Sequence, residues 1–100
     1  MYKPLDPRLT ISKSDIEGLG LFAIADIPKD TCLGITHIKS DRFEDGYVRT
    51  PLGGFYNHSK RPNCKKVGTG PVYSLWTLKA IKTGEELTVR YTFYKPKQRR

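Results

Sequence analysis

Cysteine is scarce in this chain of 100 residues, which holds only Cys32 and Cys64. Two thiols are too few for the disulfide framework of a small secreted domain and too few to ligate a structural zinc. Reduced cysteines and no metal site are therefore expected. Long apolar runs are also missing: no stretch reaches membrane-spanning length, and Met1-Tyr2-Lys3-Pro4-Leu5-Asp6-Pro7 has no apolar run behind its charge to make a signal peptide. The expectation is a soluble, intracellular protein of nucleus or cytoplasm with no membrane contact. Acid is in short supply, with 10 Asp and Glu against 18 Lys and Arg and a formal charge of +8. Such an excess speaks to association rather than to fold, and it keeps nucleic acid open as a partner through the basic surface. The basic residues are spread along the chain except in residues 95–100, read as a solvated basic tail.

What is present points to β structure. The 37% hydrophobic content suffices for one core, so residues 1–100 are read as a single domain with its core over about 9–94. No window sustains a helical period and no repeat occurs, while Gly and Pro recur at strand-sized intervals. Leu9-Thr10-Ile11 predicts a short strand, and Gly18-Leu19-Gly20-Leu21-Phe22-Ala23 an apolar strand interrupted by two glycines, which mark a bend or a close backbone approach. Pro28 follows too soon for the helix that a dinucleotide-binding glycine motif needs. Residues 27–30 read as a turn leading into a strand from Thr31 to Thr36. Residues 37–49 are polar and irregular, with an Asp45-Gly46 turn before Tyr47-Val48, and His37 is expected at an exposed strand end. Residues 72–78 form the strongest strand, expected in the core, and Leu87-Thr88-Val89-Arg90-Tyr91 a last one.

The densest run of turn chemistry is Asn57-His58-Ser59-Lys60-Arg61-Pro62-Asn63-Cys64. Asn, Ser and Pro fix irregular backbone through side-chain hydrogen bonds and a locked φ, so Asn57 and His58 read locally as an Asx-type turn. Gly53 and Gly54 just before it allow the backbone to approach a neighbour closely. Lys60 and Arg61 are expected to face solvent, and Cys64 to be a small buried packing residue.

Three segments share an order: Gly18-Leu19-Gly20-Leu21-Phe22-Ala23, then Asn57 to Cys64, then Gly84-Glu85-Glu86-Leu87-Thr88-Val89-Arg90-Tyr91. Together they resemble the SET-domain protein-lysine methyltransferases, over residues 9–93. The resemblance implies a mainly β, SET-domain-like fold of several small twisted sheets, with few short helical turns and a C-terminal segment threaded in a knot-like arrangement beside the Asn-His turn. It implies S-adenosyl-L-methionine as cofactor on one face and a target lysine entering a narrow channel from the other. Gly18, Leu19 and Gly20 would border the cofactor, Asn57 and His58 would hold its methionine and adenine ends, and Tyr91 would be the catalytic tyrosine. The substrate would be a lysine-bearing protein segment, with histone tails the familiar class.

The chain departs from the family at several points. Cys32 stands where a tyrosine is usual, removing one wall of the lysine channel; Tyr47 or Tyr56 are the candidates to replace it. Arg90 stands where Asp is common, and no cysteine cluster flanks the domain, as in the minimal, stand-alone members such as small viral ones. Phe93, Tyr94 or a partner subunit are candidates to cover the cofactor, and the short insert between Gly34 and Asn57, which leaves the substrate groove poorly walled, makes a homodimer a further expectation. Val89 and Lys66 fall near positions that tune the degree of methylation. Asp41, Glu44 and Asp45 are the candidates for contact with a basic peptide. Two other classes stay open: a non-catalytic SET-like interaction module, suggested by Cys32, and a basic nucleic-acid-binding protein, suggested by the charge.

Overall fold

The computed structural model describes residues 5–44 and 46–90. Tyr91, Phe93, Tyr94, the basic tail and Asp45, all singled out above, lie outside the described residues. Strands dominate: β1 (Leu9–Lys13), β2 (Leu19–Ala23), β3 (Cys32–Lys39), β4 (Tyr47–Arg49), β5 (Asn57–His58), β6 (Cys64–Thr69), β7 (Val72–Thr77) and β8 (Glu86–Val89), with one helical turn, α1 (Pro51–Phe55), between β4 and β5. They join into an eight-stranded curled sheet of order β1-β2-β8-β6-β7-β3-β4, with β5 alongside β8. The mainly β expectation holds, and the strands expected near residues 9–11, 18–23, 31–36, 72–78 and from Leu87 correspond to β1, β2, β3, β7 and β8, whereas β5 and β6 arise where turn chemistry was expected and β3 continues to Lys39.

Chain order and sheet order agree through the hairpins and part company at β8. β1 and β2 form an antiparallel pair from Leu9↔Ala23 to Lys13↔Leu19, and β6 and β7 another from Cys64↔Thr77 to Thr69↔Val72. β8, the last described strand, instead enters the middle of the sheet. It lies antiparallel to β2 through Leu21↔Leu87 and parallel to both β5 (His58↔Val89) and β6 (Cys64↔Val89). A parallel neighbour cannot be reached by a hairpin. β8 therefore has to cross back to residues laid down 25 to 31 positions earlier, beside the loop joining β5 to β6.

The core gathers on the inner face of this sheet. Leu21, Leu75, Leu87, Cys64, Ile27 and Ile81 are almost wholly buried, and Leu33, Leu52 and Tyr56 pack with them. Period-2 alternation accounts for β7, where Leu75 and Thr77 point inward and the residues between are half-buried. β3 breaks that period with irregularities between Cys32 and Gly34 and between Ile35 and His37. An extra residue in a strand re-aims those that follow. As a result the adjacent Thr36 and His37 are both buried, His37 against Tyr47 with ring centroids 6.1 Å apart. The expectation of an exposed, strand-end His37 fails for this reason: bulges do not show in an alternation pattern.

Of the two glycines ahead of the central segment, Gly53 does bring backbones together, but at α1 rather than at a ligand, while Gly54 meets only the Arg49 side chain. Thr50 caps the turn, its Oγ1 accepting from the Gly53 amide at 3.2 Å, and Pro51 sits where its missing N–H costs nothing. A Cβ on Gly53 would collide with the Thr36 carbonyl oxygen. Gly at this position lets α1 lie directly on β3, with Leu52 beneath it.

Candidate active site

Asn57 and His58 are not a turn: they form β5, paired in parallel with Thr88 and Val89 of β8. The turn chemistry begins one residue later, where the Ser59 Oγ accepts from the Arg61 amide at 3.0 Å. The Asx-turn expectation is corrected because the neighbouring β8 offers backbone pairing, which leaves the Asn57 side chain available for tertiary contacts.

At the other end of this loop Asn63 holds β8 as a second backbone would. Its Oδ1 accepts from the Thr88 amide at 2.8 Å, its Nδ2 donates to the Glu86 carbonyl at 2.8 Å, and its own amide donates to the Thr88 hydroxyl at 3.3 Å. The Ser59 amide adds a bond to the Val89 carbonyl at 3.2 Å. Residues 59–63 thus clasp the strand that leads to Tyr91.

The Asn57 amide reaches across to the glycine-bordered strand. Its Nδ2 lies 2.8 Å from Glu86 Oε2, 3.1 Å from Ser14 Oγ and 3.3 Å from both the Glu17 and Leu19 carbonyl oxygens. The Ser14 hydroxyl in turn donates to the Glu86 carboxylate, at 2.8 and 2.9 Å from its two oxygens, and accepts from the Ile16 amide at 2.9 Å. Gly20 makes this corner possible, since a Cβ there would run into the Glu86 carboxylate and crowd the Asn57 amide. Gly18 has φ +50 and nothing within 4 Å of where a Cβ would stand, so the backbone here borders open space.

Of the residues read from the sequence, the fold gathers Gly18, Leu19, Gly20 and Asn57 at one corner. His58 follows on the same two-residue strand with its side chain exposed. Tyr91 follows β8 in sequence and lies outside the described residues. Ser14 and Glu86 had no role assigned from sequence, although Glu86 stands inside the Gly84-Glu85-Glu86 segment. Pairing of β2 with β8 is what brings Glu86 opposite Phe22. Asn63 was legible as a turn residue but not as the clasp on β8.

On the sheet beyond the clasp, Tyr47 stacks edge-on against both His37 and Tyr73, the latter at 5.8 Å, while Tyr56 is buried in the core. Lys66 sits half-buried on β6; burial and the nearby charge of Arg49 bring its pKa down to about 8. Cys64 is fully buried and its thiol is pushed up to about 12, an inert packing group. Cys32 is exposed and pairs across the sheet with Trp76. Asp41 and Glu44 stand exposed on the loop between β3 and β4, as do Lys60 and Arg61 on the clasp. No cluster of metal-ligating side chains occurs among the described residues, and no helix among them is long and apolar enough to cross a membrane.

The resemblance implied a closing segment beside an Asn-His turn; the structure has Asn57 and His58 as a short strand laid along β8, next to the glycine-bearing β2. The SET domain family model matches residues 35–92, more than half of the chain. The chain belongs to the SET-domain family of protein-lysine methyltransferases. Among its relatives is a Schizosaccharomyces pombe protein named histone-lysine N-methyltransferase, H3 lysine-37 specific, 31% identical over 106 aligned positions that span 83% of this chain and 72% of the relative. The fold is shared with the crystal structure of a Plasmodium falciparum protein titled a histone methyltransferase, at TM-score 0.69 and 22% identity over 90% of this chain and 97% of that one. It is also shared with the methyltransferase domain of human PR domain-containing protein 2, at TM-score 0.66 and 16% identity over 91% of this chain and 81% of that one.

Proposed function

We propose that this enzyme transfers a methyl group from S-adenosyl-L-methionine to a lysine side chain of a protein, with histones the favoured substrate class. The observation that carries the cofactor assignment is the state of Asn57. Its Nδ2 faces acceptors on every side, so the amide is turned with Oδ1 pointing away from Glu86 and the two carbonyls. An oriented amide oxygen is an acceptor suited to the cationic amino group of the cofactor's amino-acid end. The bare backbone at Gly18 and Gly20 leaves room for a ligand to lie close. These residues fit the cofactor, with Gly18, Leu19 and Gly20 bordering it and Asn57 and His58 holding its two ends.

The bound cofactor supplies an activated methyl group on a sulfonium; the chain has to supply a neutral amine and hold it in line. A free lysine with pKa near 10.4 is almost wholly protonated at neutral pH. Desolvation in an apolar channel favours the neutral form, so little acid-base machinery is needed. In this reading Tyr91, two residues after the clasped strand in sequence, orients the amine with its hydroxyl. Alignment of this kind can supply about 7–11 kcal/mol of the barrier in favourable cases. Tyr47, held by His37 and Tyr73, is the favoured candidate wall where Cys32 replaces the usual tyrosine, with the buried Tyr56 as the second candidate. Asp41 and Glu44 offer acid on the β3–β4 loop for a basic peptide, which a +8 domain needs if its substrate is a histone tail. The name of the fission-yeast relative supports histone H3 as the first substrate to try.

Incubation with isotopically labelled S-adenosylmethionine and core histones, read by mass spectrometry of the modified lysine, tests this. Wild type is expected to label a lysine, and Tyr91→Phe to lose most of that turnover while keeping cofactor affinity. Binding without transfer to any histone or lysate protein would contradict the catalytic reading and leave an interaction module.

A further inference from the structure

We propose that Glu86, supported by Ser14, is a positioning residue for the cofactor's amino-acid end: it fixes the rotational state of the Asn57 amide. This inference rests on the cofactor reading above and extends it to residues that do not themselves face the ligand. A primary amide has two donors on nitrogen and one acceptor oxygen, and its two orientations differ by which of them faces a neighbour. Around Asn57 the neighbours are a carboxylate and two backbone carbonyls, none of which can donate when the carboxylate is ionised, plus a hydroxyl whose proton is already given to that carboxylate. Only the Nδ2-inward orientation is compatible with this set. Turning the amide over would place Oδ1 2.8 Å from a carboxylate oxygen.

Glu86 is the member that decides. It makes the shortest contact with the amide, its bond is the charge-assisted one, and it also sets which way the Ser14 hydroxyl points. The Glu17 and Leu19 carbonyls, at 3.3 Å, are weaker acceptors. Pairing of β8 with β2 and the absence of a side chain on Gly20 bring the carboxylate to this spot. The consequence is a preoriented acceptor, so ligand binding does not have to bear the cost of ordering it. With Glu86→Gln the side chain keeps its volume but exchanges one acceptor for a donor. The outward orientation of Nδ2 then becomes available, and it presents a donor to a cationic amine.

The test is calorimetric titration of wild type, Glu86→Gln and Ser14→Ala with two ligands, S-adenosylhomocysteine and 5′-methylthioadenosine, which lacks the amino-acid end. The expected result is a roughly tenfold loss of S-adenosylhomocysteine affinity in Glu86→Gln and a smaller loss in Ser14→Ala, with methylthioadenosine affinity unchanged in both. Unchanged affinity for both ligands overturns the proposal, and so does an equal loss for both, which would mark a general structural role. Absence of S-adenosylhomocysteine binding to wild type would instead remove the cofactor reading itself, and the inference with it. Because Ser14→Ala deletes only a hydroxyl at a half-buried position, it keeps the proposal open to refutation if Glu86→Gln fails to fold.

Discussion

The two halves of the sheet are held together by a different balance of forces. Around β8, side chains bond to backbone: Asn63 spans Glu86 and Thr88, and Asn57 ties Ser14, Leu19 and Glu86 into one corner. Across β3, β4 and β7, the joins are mainly ladder bonds, a glycine contact at Gly53 and aromatic packing among His37, Tyr47 and Tyr73, with threonine hydroxyls of Thr36 and Thr50 bonding to the Tyr73 and Ile35 carbonyls. Polar bonds are directional, so the first half can hold a ligand's donors and acceptors in register. In the second half packing, which is non-directional, has the larger share, and it suits the shaping of a surface. The difference fits a division between a cofactor side and a substrate side.

The sharpest way to break the comparison is at the clasp. Asn63→Ala leaves the Thr88 amide and the Glu86 carbonyl without their partner, and a buried polar group stripped of its bond costs about 1–3 kcal/mol. The expected loss in urea unfolding is about 3 kcal/mol, accompanied by weaker cofactor binding as Glu86 shifts. In the packed half, Gly53→Ala forces a methyl onto the Thr36 carbonyl, and overpacking of this kind costs about 1–3 kcal/mol. About 2 kcal/mol is expected by the same measurement, with cofactor affinity little changed. A loss of cofactor affinity in Gly53→Ala as large as in Asn63→Ala would erase the proposed division.

The smallest effect is electrostatic. The folded-state pKa of Lys66, about 8, lies below its ordinary value of 10.5, so between these values the unfolded chain binds more protons than the folded one. Stability from this group therefore rises with pH across that window, and below about pH 8 its charge is a standing cost. Relative to wild type, Lys66→Met is expected to gain most in thermal midpoint near pH 7, with the gain shrinking steadily as pH approaches 10. A difference independent of pH would show that burial of the charge is not what Lys66 contributes.

The contrast between the halves also explains what the sequence could reveal. Leu9 and Leu87 alternate with polar neighbours, and residues 19–23 and 72–77 are rich in strand-favouring apolar residues, so their strands were legible, and short segments such as Asn57-His58 and Gly18-Leu19-Gly20 carried the family resemblance. Bulges in β3 hid the burial of His37, because a single inserted residue reverses the inward face without altering composition. The role of Glu86 was hidden differently: its partners Ser14 and Asn57 are 72 and 29 positions away, and only the return of β8 to the middle of the sheet unites them. Turn propensity named Asn57 and Asn63 alike as loop formers. Pairing with β8 separated them into a strand residue whose amide reaches Glu86 and Ser14, and a clasp.

The central claim is that the corner formed by Asn57 and the strand bordered by Gly18 and Gly20 holds S-adenosylmethionine. It is tested most directly by calorimetric titration of wild type and Asn57→Ala with that molecule. The account predicts saturable one-site binding to wild type and a loss of at least tenfold in affinity on removing the amide, with the fold retained by circular dichroism. Equal affinity in the two proteins would contradict it.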